Sequence, residues 1–250
     1  YGTKILVLGD PAQLPPVKGE GFFINAEPDV MLTEVHRQAA ENPIIRMSMD
    51  VREGRGLKPG FYGESRVVRR ADIGKDELRT LVLAADQVLC GMNKTRTTFN
   101  QRIREHKGLQ GAIAPFLPTQ GDRLVCLKNN RKEGLINGGL WTVEGWKPQP
   151  SQKPPALKLR VKSLDDELAA QLEVPVPHAF FNGTEKELDW RDLKRFEQFT
   201  YGWALTCHKA QGSQWDDVLV FDEGSVFRED AAKWTYTALT RAAERVNIIV

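Results

Sequence analysis

The stretch YGWALTCHKAQGSQWDDVLVF, residues 201–221, places a polar segment between two apolar runs. The polar segment is TCHKAQGS, residues 206–213, and it carries hydroxyls, an imidazole, an ammonium group and an amide. The runs on either side are short and rich in aromatic and β-branched residues, which is typical of buried strands. We therefore expect a strand on each side of the segment, and a ligand for its polar side chains at the edge of the core.

The composition limits the classes of protein that fit the chain. Its 250 residues, 41% of them hydrophobic, can form more than one compact unit, because domains commonly have about 100 to 150 residues. The 35 Lys and Arg nearly balance the 33 Asp and Glu, so any nucleic-acid surface must be local. No apolar run reaches the roughly 18 to 20 residues that span a bilayer, and the first residues lack the pattern of a signal peptide. We expect an intracellular protein that binds no membrane.

The three cysteines, Cys90, Cys126 and Cys207, lie far apart and each stands beside apolar residues. None has the C-x-x-C spacing of a zinc or redox site. This pattern is typical of reduced thiols in a cytoplasmic protein, and it predicts no metal site built from cysteine.

Candidate strands alternate with candidate helices over most of the chain, which predicts right-handed crossovers and a mainly parallel sheet. The predicted strands are residues 4–8, 30–32, 66–68, 87–90, 201–205, 218–221 and 246–250. The predicted helices are residues 43–54, 76–84, 95–106, 190–199 and 231–243. Asn42 is the expected N-cap of the first helix, with Pro43 at its first position. Because the first strand pattern begins at once, we expect the chain to be a fragment of a longer protein.

The pattern changes from about residue 118. The segments GDRLVCL, LWTVEGW and ALKLRV are separated by Asn-Gly, Gly-Gly and Pro-rich turns, and no helix pattern lies between them. These features predict a small antiparallel barrel inserted into the α/β domain. Trp141 and Trp146 alternate with Val143, so we expect both indoles in the core of the barrel.

An amide and two arginines are candidates for binding phosphate. Gln13, in LGDPAQLPPV (residues 8–17), follows a predicted strand at the sheet edge where open α/β folds bind ligands. Arg37 lies in LTEVHRQ (residues 32–38) and Arg241 in the last predicted helix. A guanidinium group stays charged and presents forked donors that suit phosphate oxygens. Taken singly, the first segment also fits an ordinary Pro-rich loop, and each arginine a solvated surface residue.

Two basic clusters are candidates for binding nucleic acid, since cations neutralise phosphates and make affinity dependent on salt. One lies on the helix predicted at residues 95–106 and just beside it, and the other in a turn. They consist of Lys94, Arg96, Arg102, Arg104 and Lys107, and of Lys128, Asn129, Asn130, Arg131 and Lys132. A charge run is also typical of a solvated face, and that alternative stays open for both clusters.

The order of the segments resembles the second half of a superfamily 1 helicase of the RecD-like branch, which includes exonuclease V alpha subunits and phage recombination helicases. The segments are GDPAQLPPV, LTEVHRQ, NKTR, GDRLVCLKNN with INGG, ALTCHKAQGS and YTALTRA, and they cover nearly the whole chain. The resemblance implies an α/β fold in which a RecA-like parallel-sheet domain contains an inserted small SH3-like β-barrel. The implied boundaries are the truncated end of a first RecA-like domain at 1–25, the second RecA-like domain at 26–117 and 191–250, and the barrel at 118–190.

The resemblance also implies an activity. The full-length protein would be an ATP-dependent DNA helicase that uses ATP and Mg²⁺, moves 5′ to 3′ on single-stranded DNA and unwinds duplexes in DNA repair or recombination. Single-stranded or tailed DNA would be its main partner, with nuclease or recombination-complex subunits as further partners. A cytoplasmic protein encoded by a bacterium or a phage is expected.

Roles for individual residues follow from the same resemblance. The residues expected to act in catalysis are Gln13, Arg37 and Arg241. The residues expected at the nucleotide are Asp10, Gln13, Arg37, Gln211, Gly212, Ser213, Gln214 and Arg241. The residues expected at DNA are Asn93, Thr95, Arg96, Thr206, His208 and Lys209. Related proteins commonly have Glu where this chain has Gln214, which leaves recognition of the nucleotide sugar open.

The phosphate-binding pattern G-x-x-x-x-G-K-[ST] does not occur in the chain. The sequence VLVFDE resembles a strand with magnesium carboxylates, but it follows the HKAQGS segment, so we expect Asp222 and Glu223 not to hold the metal. ATP and Mg²⁺ would be bound mainly by residues upstream, and this chain alone should be inactive. Two alternatives stay open, namely a superfamily 1 RNA helicase and a non-catalytic nucleic-acid-binding module.

Overall fold

The computed structural model describes residues 2–15, 27–31, 41–111, 114–166 and 168–250. The chain divides into two compact units. The first, called the α/β unit here, consists of Tyr1–Asn93 and Leu205–Val250, and the second, called the inserted unit, is Lys94–Ala204. Within the described residues, no helix is long and apolar enough to cross a membrane.

Eleven strands and six α-helices are present in the described residues. The strands are β1 Gly60–Tyr62, β2 Ser65–Val68, β3 Gln87–Cys90, β4 Arg123–Cys126, β5 Leu140–Gln149, β6 Ala156–Ser163, β7 Leu172–Pro177, β8 Phe199–Tyr201, β9 Ala204–Thr206, β10 Trp215–Phe221 and β11 Ala242–Ile249. The helices are α1 Pro43–Arg52, α2 Lys75–Ala84, α3 Asn93–His106, α4 Ala179–Asn182, α5 Trp190–Arg195 and α6 Ala231–Leu239.

The α/β unit is built on a six-stranded sheet in the order β1-β2-β11-β10-β3-β9. Strand β10 pairs in parallel with β11 and β3, and β11 pairs in parallel with β2. All four residues of β3 are buried, as expected for a central strand covered on both faces. The predicted α/β fold with a parallel sheet is confirmed.

Helix α1 begins where the sequence predicts. The Asn42 side chain accepts hydrogen bonds from the backbone N–H groups of Ile44 and Ile45, and Pro43 occupies the first turn, so an otherwise unpaired helix terminus is satisfied. The buried side chains Ile44, Met47, Ser48 and Val51 recur at the spacing of one helical face.

Helix α6 ends earlier than predicted, at Leu239 instead of residue 243. The Thr240 hydroxyl donates to the Tyr236 carbonyl at 2.9 Å, and the Arg241 Nε donates to the Thr237 carbonyl at 3.0 Å. These two side chains satisfy carbonyls of the last turn, which leaves the following backbone free to pair in a sheet. Strand β11 accordingly begins at Ala242, four residues before the predicted position.

The inserted unit contains a five-stranded antiparallel sheet in the order β7-β6-β5-β4-β8. The unit holds a buried cluster that includes Leu124, Trp141 and Phe199, with the partly buried Trp146 packed against it. The predicted core position of Trp141 is therefore confirmed, whereas Trp146 is only partly buried beside that core. The backbone N–H of Glu197 donates to the Pro175 carbonyl at 3.0 Å, which links β7 to the segment before β8. The SH3-like class and the domain boundaries stay predictions.

A buried ion pair organises the inserted unit. Arg104 is 4% exposed and Asp122 0%, and the Arg104 Nε donates to the two carboxylate oxygens at 2.9 and 3.1 Å. The remaining guanidinium nitrogens donate to the carbonyls of Leu109, Pro115 and Leu117. A buried charge is tolerated when it is paired and its donors are satisfied. Arg104 therefore holds the loop after α3 and is not available to bind phosphate.

Several other expectations need correction. Residues 4–8 form no strand, and Ile5, Leu6 and Leu8 are more than 80% exposed. Residues 30–31 are not a strand either, while residue 32 lies outside the described residues. The strand expected at 201–205 is two strands in two different sheets, and the helix expected to end at residue 199 ends at Arg195. The Lys128 ammonium donates to three carbonyls near the end of α5, so it is a structural group in the basic turn.

We expect Asp122→Ala to lower the free energy of unfolding by about 3 to 5 kcal/mol, because Arg104 would keep a buried charge without its partner. Urea unfolding of the chain, followed by circular dichroism, measures the change. Glu173→Ala is the matched control, because its ion pair with Lys158 joins two exposed side chains and should contribute little. Equal unfolding midpoints for the two variants would contradict the structural role of the buried pair.

Candidate functional site

Residues 10–14 form a tight turn ordered by Asp10. The Gln13 backbone N–H donates to the Asp10 carbonyl at 3.1 Å, and the Ala12 N–H donates to the Asp10 Oδ1 at 3.0 Å. The Gln13 amide nitrogen lies 3.4 Å from the Asp10 Oδ2, a longer and weaker contact. Asp10 thus fixes the backbone of the turn, and the Gln13 side chain is held less tightly.

Three hydrogen bonds join this turn to distant parts of the α/β unit. The Tyr236 hydroxyl donates to the Asp10 Oδ2 at 2.8 Å. The buried Leu14 N–H donates to the Thr237 hydroxyl oxygen at 2.8 Å, and the Leu14 carbonyl accepts from the Gln211 amide at 2.7 Å. Residues more than 190 positions apart in sequence therefore meet around the two backbone groups of one leucine.

Arg241 lies at the C-terminal end of α6 and is 9% exposed. Besides Thr237, its guanidinium donates to the Ser213 carbonyl at 3.1 Å and to the Thr240 hydroxyl at 3.2 Å. Burial lowers the pKa of Arg241 from its usual value, although a guanidinium remains charged at neutral pH. The hydrogen bonds of this buried cation would become stronger if an anionic oxygen replaced one of its neutral acceptors.

Burial and the hydrogen bond to Asp10 raise the pKa of Tyr236 to about 12. The phenol is therefore protonated at neutral pH and acts as a hydrogen-bond donor. The Asp10 carboxylate accepts from it, so the direction of this bond is fixed.

Thr206 is the last residue of β9, and residues 207–212 follow it as a series of turns. The Thr206 carbonyl accepts from the backbone N–H groups of Lys209 and Ala210 at 2.8 and 3.1 Å. Gly212 has φ +87°, a left-handed conformation that favours glycine. It directs the chain so that the Ser213 carbonyl reaches Arg241, while Gly212 and Gln214 are exposed. The segment therefore contacts Arg241 through Ser213, and it contacts the backbone of Leu14, next to Gln13, through Gln211.

His208 is half-buried against aromatic rings. Its ring lies 5.4 Å from that of Phe227, which in turn stacks on Trp234 at 5.9 Å. Burial lowers the pKa of His208 while Asp230 acts in the opposite direction, so the imidazole is largely neutral at pH 7. It can bind a phosphate oxygen by donating a hydrogen bond, without contributing a full charge.

The thiol next to His208 is inert. Cys207 is 0% exposed and its backbone N–H donates to the Cys90 carbonyl at 2.9 Å. Burial raises the pKa of the Cys207 thiol to about 12, which suppresses the thiolate that would react. All three cysteines are buried and form no disulfide with one another, as expected for reduced thiols.

Asp222 and Glu223 hold backbone N–H groups. The Glu223 Oε2 accepts from the N–H groups of Gly91 and Met92 at 2.7 and 2.8 Å, and the Asp222 Oδ1 accepts from Gly224 at 2.8 Å. A side chain at Gly91 would place its Cβ 2.8 Å from the Cβ of Glu223, so glycine is required at this contact. The sequence resembles a metal-binding pair but is expected not to hold the metal, and here Glu223 fixes the loop before α3 while Asp222 binds the backbone of Gly224.

The remaining predicted residues have simpler positions. Asn93, Thr95 and Arg96 lie in the first turn of α3, and the Arg96 carbonyl accepts from the Asn100 side chain at 3.0 Å. Arg37 lies outside the described residues. The structure thus brings together Asp10, Gln13, Gln211, Ser213 and Arg241 in the α/β unit. Sequence reasoning missed Tyr236 and Thr237 as partners of residues 10–14, because neither side chain has a motif that reveals its acceptor or donor.

Residues 201–249 match the protein family described as UvrD-like helicase C-terminal domain. The match covers the turns of 206–213 together with α6 and Arg241. Residues 201–249 of this chain are therefore similar to the UvrD-like helicase C-terminal domain. The resemblance to superfamily 1 helicases of the RecD-like branch is confirmed.

Two curated proteins are similar to nearly the whole chain. The ATP-dependent RecD2 DNA helicase of Deinococcus radiodurans is 30% identical over 98% of the chain and 32% of its own length. The probable conjugal transfer protein TraA of Sinorhizobium fredii is 23% identical over 99% of the chain and 22% of its own length. The chain thus spans a third or less of these relatives.

Among solved structures, the Pif1 helicase from Candida albicans aligns with a TM-score of 0.49 and 16% identity, covering 96% of this chain and 63% of that one. The Pif1 helicase from Bacteroides in complex with ADP-AlF3 and ssDNA aligns with a TM-score of 0.44 and 14% identity, covering 96% and 60%.

We expect Thr237→Val to release the turn at residues 10–14, because valine fills the same space but cannot accept the hydrogen bond of the Leu14 N–H. The cost of the unpaired buried group is about 1 to 3 kcal/mol. Amide hydrogen exchange at Leu14 is the direct measurement, and it should become at least about tenfold faster. Thr237→Ser keeps the acceptor and is the control. Equal exchange rates in the two variants would show that this hydrogen bond does not hold the turn.

Proposed function

We propose that this chain is the carboxy-terminal portion of an ATP-dependent DNA helicase of the RecD-like type, in which ATP hydrolysis drives movement on single-stranded DNA. The observation that carries the proposal is the hydrogen-bonded meeting of residues 10–14, the 206–213 segment and helix α6. The resemblance to superfamily 1 helicases assigns residues in each of these segments to nucleotide or DNA. Their contact in one unit is what coupling between the two ligands requires.

The nucleotide chemistry in the proposal is electrostatic. When a phosphoryl group is transferred, negative charge is spread over its oxygens, and positioned donors lower the energy of that state. Arg241 supplies a forked cation, and its exchange of the Ser213 carbonyl for a phosphoryl oxygen would replace a neutral acceptor with a charged one. Gln13 supplies an uncharged amide that can donate to the γ-phosphate and accept from the attacking water. Arg37 would act as the second cation.

Other residues would complete the nucleotide site. Gly212, Ser213 and Gln214 precede β10, and the Ser213 carbonyl accepts from Arg241. The exposed Gln214 amide would hydrogen-bond a sugar hydroxyl. Within the described residues, no group of three or more His, Cys, Asp or Glu is arranged to hold a metal ion. We assign the Mg²⁺ ligands and the phosphate-binding loop to residues outside this chain, and the chain alone should not hydrolyse ATP.

DNA contact is assigned to two segments. Thr206, the buried last residue of β9, would bind the phosphate backbone together with His208 and Lys209 in the turns that follow, with Lys209 supplying the charge. Asn93, Thr95 and Arg96 would bind it from the first turn of α3, where backbone N–H groups also favour anions. Support comes from the similarity to the RecD2 relative, an ATP-dependent DNA helicase. Translocation from 5′ to 3′, duplex unwinding and a role in DNA repair or recombination, with nuclease or recombination subunits as partners, belong to the same proposal.

We expect Arg241→Ala in the full-length protein to lower the kcat of DNA-stimulated ATP hydrolysis by about 10³-fold or more, the lower end of the effect of losing an arginine finger. Steady-state phosphate release with saturating ATP and single-stranded DNA measures it. Arg245→Ala is the matched control, since Arg245 is nearby in sequence but pairs with Asp217 at the surface. A similar kcat for both variants would remove Arg241 from the catalytic site.

We expect Lys209→Gln to weaken binding of single-stranded DNA and to reduce the slope of log affinity against log salt by about 0.7, the effect of losing one phosphate contact on a single strand. Fluorescence anisotropy at several salt concentrations provides both values. Lys233→Gln is the control, because Lys233 pairs with Asp230. An unchanged slope for Lys209→Gln would contradict its assignment, and a preference for RNA over DNA in the same assay would favour an RNA helicase.

A further inference from the structure

We propose that Tyr236 and Gln211 are positioning residues for Gln13, and that Gln211 transmits the state of the DNA-contacting segment to the nucleotide site. The inference rests on the proposed function, because that function gives Gln13 its role at the γ-phosphate. In this inference the Gln211 side chain binds the protein backbone at Leu14 and not the nucleotide. Tyr236 receives a role that no sequence motif reveals.

Tyr236 acts through Asp10. Its hydroxyl donates to the Asp10 Oδ2 at 2.8 Å, and the Gln13 amide contacts the same oxygen at 3.4 Å. The short bond to Tyr236, together with the Ala12 N–H on the other carboxylate oxygen, keeps the carboxylate in place. The long contact can be given up at little cost. Gln13 can therefore turn towards a phosphate oxygen while the turn that carries it stays fixed on α6.

Gln211 acts through Leu14. Its amide donates to the Leu14 carbonyl at 2.7 Å, while the Leu14 N–H is held by Thr237. Both backbone groups of the residue after Gln13 are thus bound, one to the helix and the other to the 206–213 segment. Leu14 is 5% exposed, so water does not replace either partner. A displacement of Gln211 must break this bond or move the backbone next to Gln13.

The same short segment contains the proposed DNA contacts. The backbone N–H groups of Lys209 and Ala210 both donate to the Thr206 carbonyl, which makes residues 206–210 one closed turn, and Gln211 follows it directly. A phosphate bound at Thr206 or Lys209 would shift or stiffen this turn. The displacement would reach Leu14 through one side chain, which is a physical route for stimulation of ATP hydrolysis by DNA.

The test uses the full-length protein with Tyr236→Phe and Gln211→Leu. Tyr236→Phe should lower kcat at saturating DNA by about tenfold, with less than about a threefold change in the KM for ATP, because a hydrogen bond to a carboxylate is lost without loss of packing. Gln211→Leu should reduce the ratio of DNA-stimulated to basal kcat by about tenfold. Tyr62→Phe is the control, since the Tyr62 hydroxyl hydrogen-bonds the exposed Lys58 backbone.

The route through Asp10 has its own check. Asp10→Asn combined with Tyr236→Phe should reduce kcat no further than the more impaired single variant, because both changes break one connection. If the kcat losses of the two single variants instead multiplied in the double variant, the route through Asp10 would be overturned.

Three results would overturn the inference while the proposed function stands. The first is a normal kcat in Tyr236→Phe, and the second is a normal ratio of DNA-stimulated to basal kcat in Gln211→Leu. The third is that either variant loses stability, ATP binding and DNA binding to the same extent, which would reveal only a packing role. An unaltered full-length protein that hydrolyses no ATP in the presence of DNA would instead overturn the proposed function.

Discussion

The paired hydrogen bonds on the backbone of Leu14 are the constraint on which the site depends. The N–H group binds the Thr237 hydroxyl and the carbonyl group binds the Gln211 amide, so one buried residue joins three segments that are distant in sequence. A buried backbone group without a partner is costly, and here each partner is a side chain on a different element. The position of Gln13 is consequently determined by residues whose own positions depend on β9 and α6.

Arg241 has a structural role and a proposed catalytic role. The two roles use different nitrogens of the guanidinium group, so most of its structural hydrogen bonds can remain when it binds a phosphoryl oxygen. The Nε bond to Thr237 closes the end of α6, where a cation is also favoured by the helix dipole. The Nη1 bond to Ser213 is the one that a phosphoryl oxygen could replace. A guanidinium has five donors, so it can keep the helix end closed while it changes one partner. A lysine could not do both, since its ammonium is a compact point charge on a flexible stem.

The sequence predicts the α/β fold, the cap of α1 and most strand positions, because these features depend on local patterns. Prediction from the sequence fails where long-range contacts determine the local structure or the partner of a side chain. The strand expected at residues 201–205 divides at Gly202, where an added Cβ would lie 3.0 Å from the Leu124 backbone; β8 before it pairs with β4 and β9 after it joins the other sheet. Arg104 and Lys128 were candidates for phosphate contact, and their partners, Asp122 and the end of α5, cannot be recognised from composition or spacing. The candidate residues of the site were named from ordered motifs, whereas their mutual contacts required the structure.

The 206–213 segment is short, and its length is central to how coupling could work. Gln211 binds the backbone beside Gln13, and two residues later Ser213 binds Arg241, so both proposed catalytic groups depend on one turn. The proposed DNA contacts come immediately before them in the same segment. A flexible loop would absorb a displacement at His208 or Lys209. Here the Thr206 carbonyl ties the first half together, and left-handed Gly212 sets the direction of the second half. Because few backbone torsions in this segment are free to rotate, a displacement at one end is transmitted to the other end.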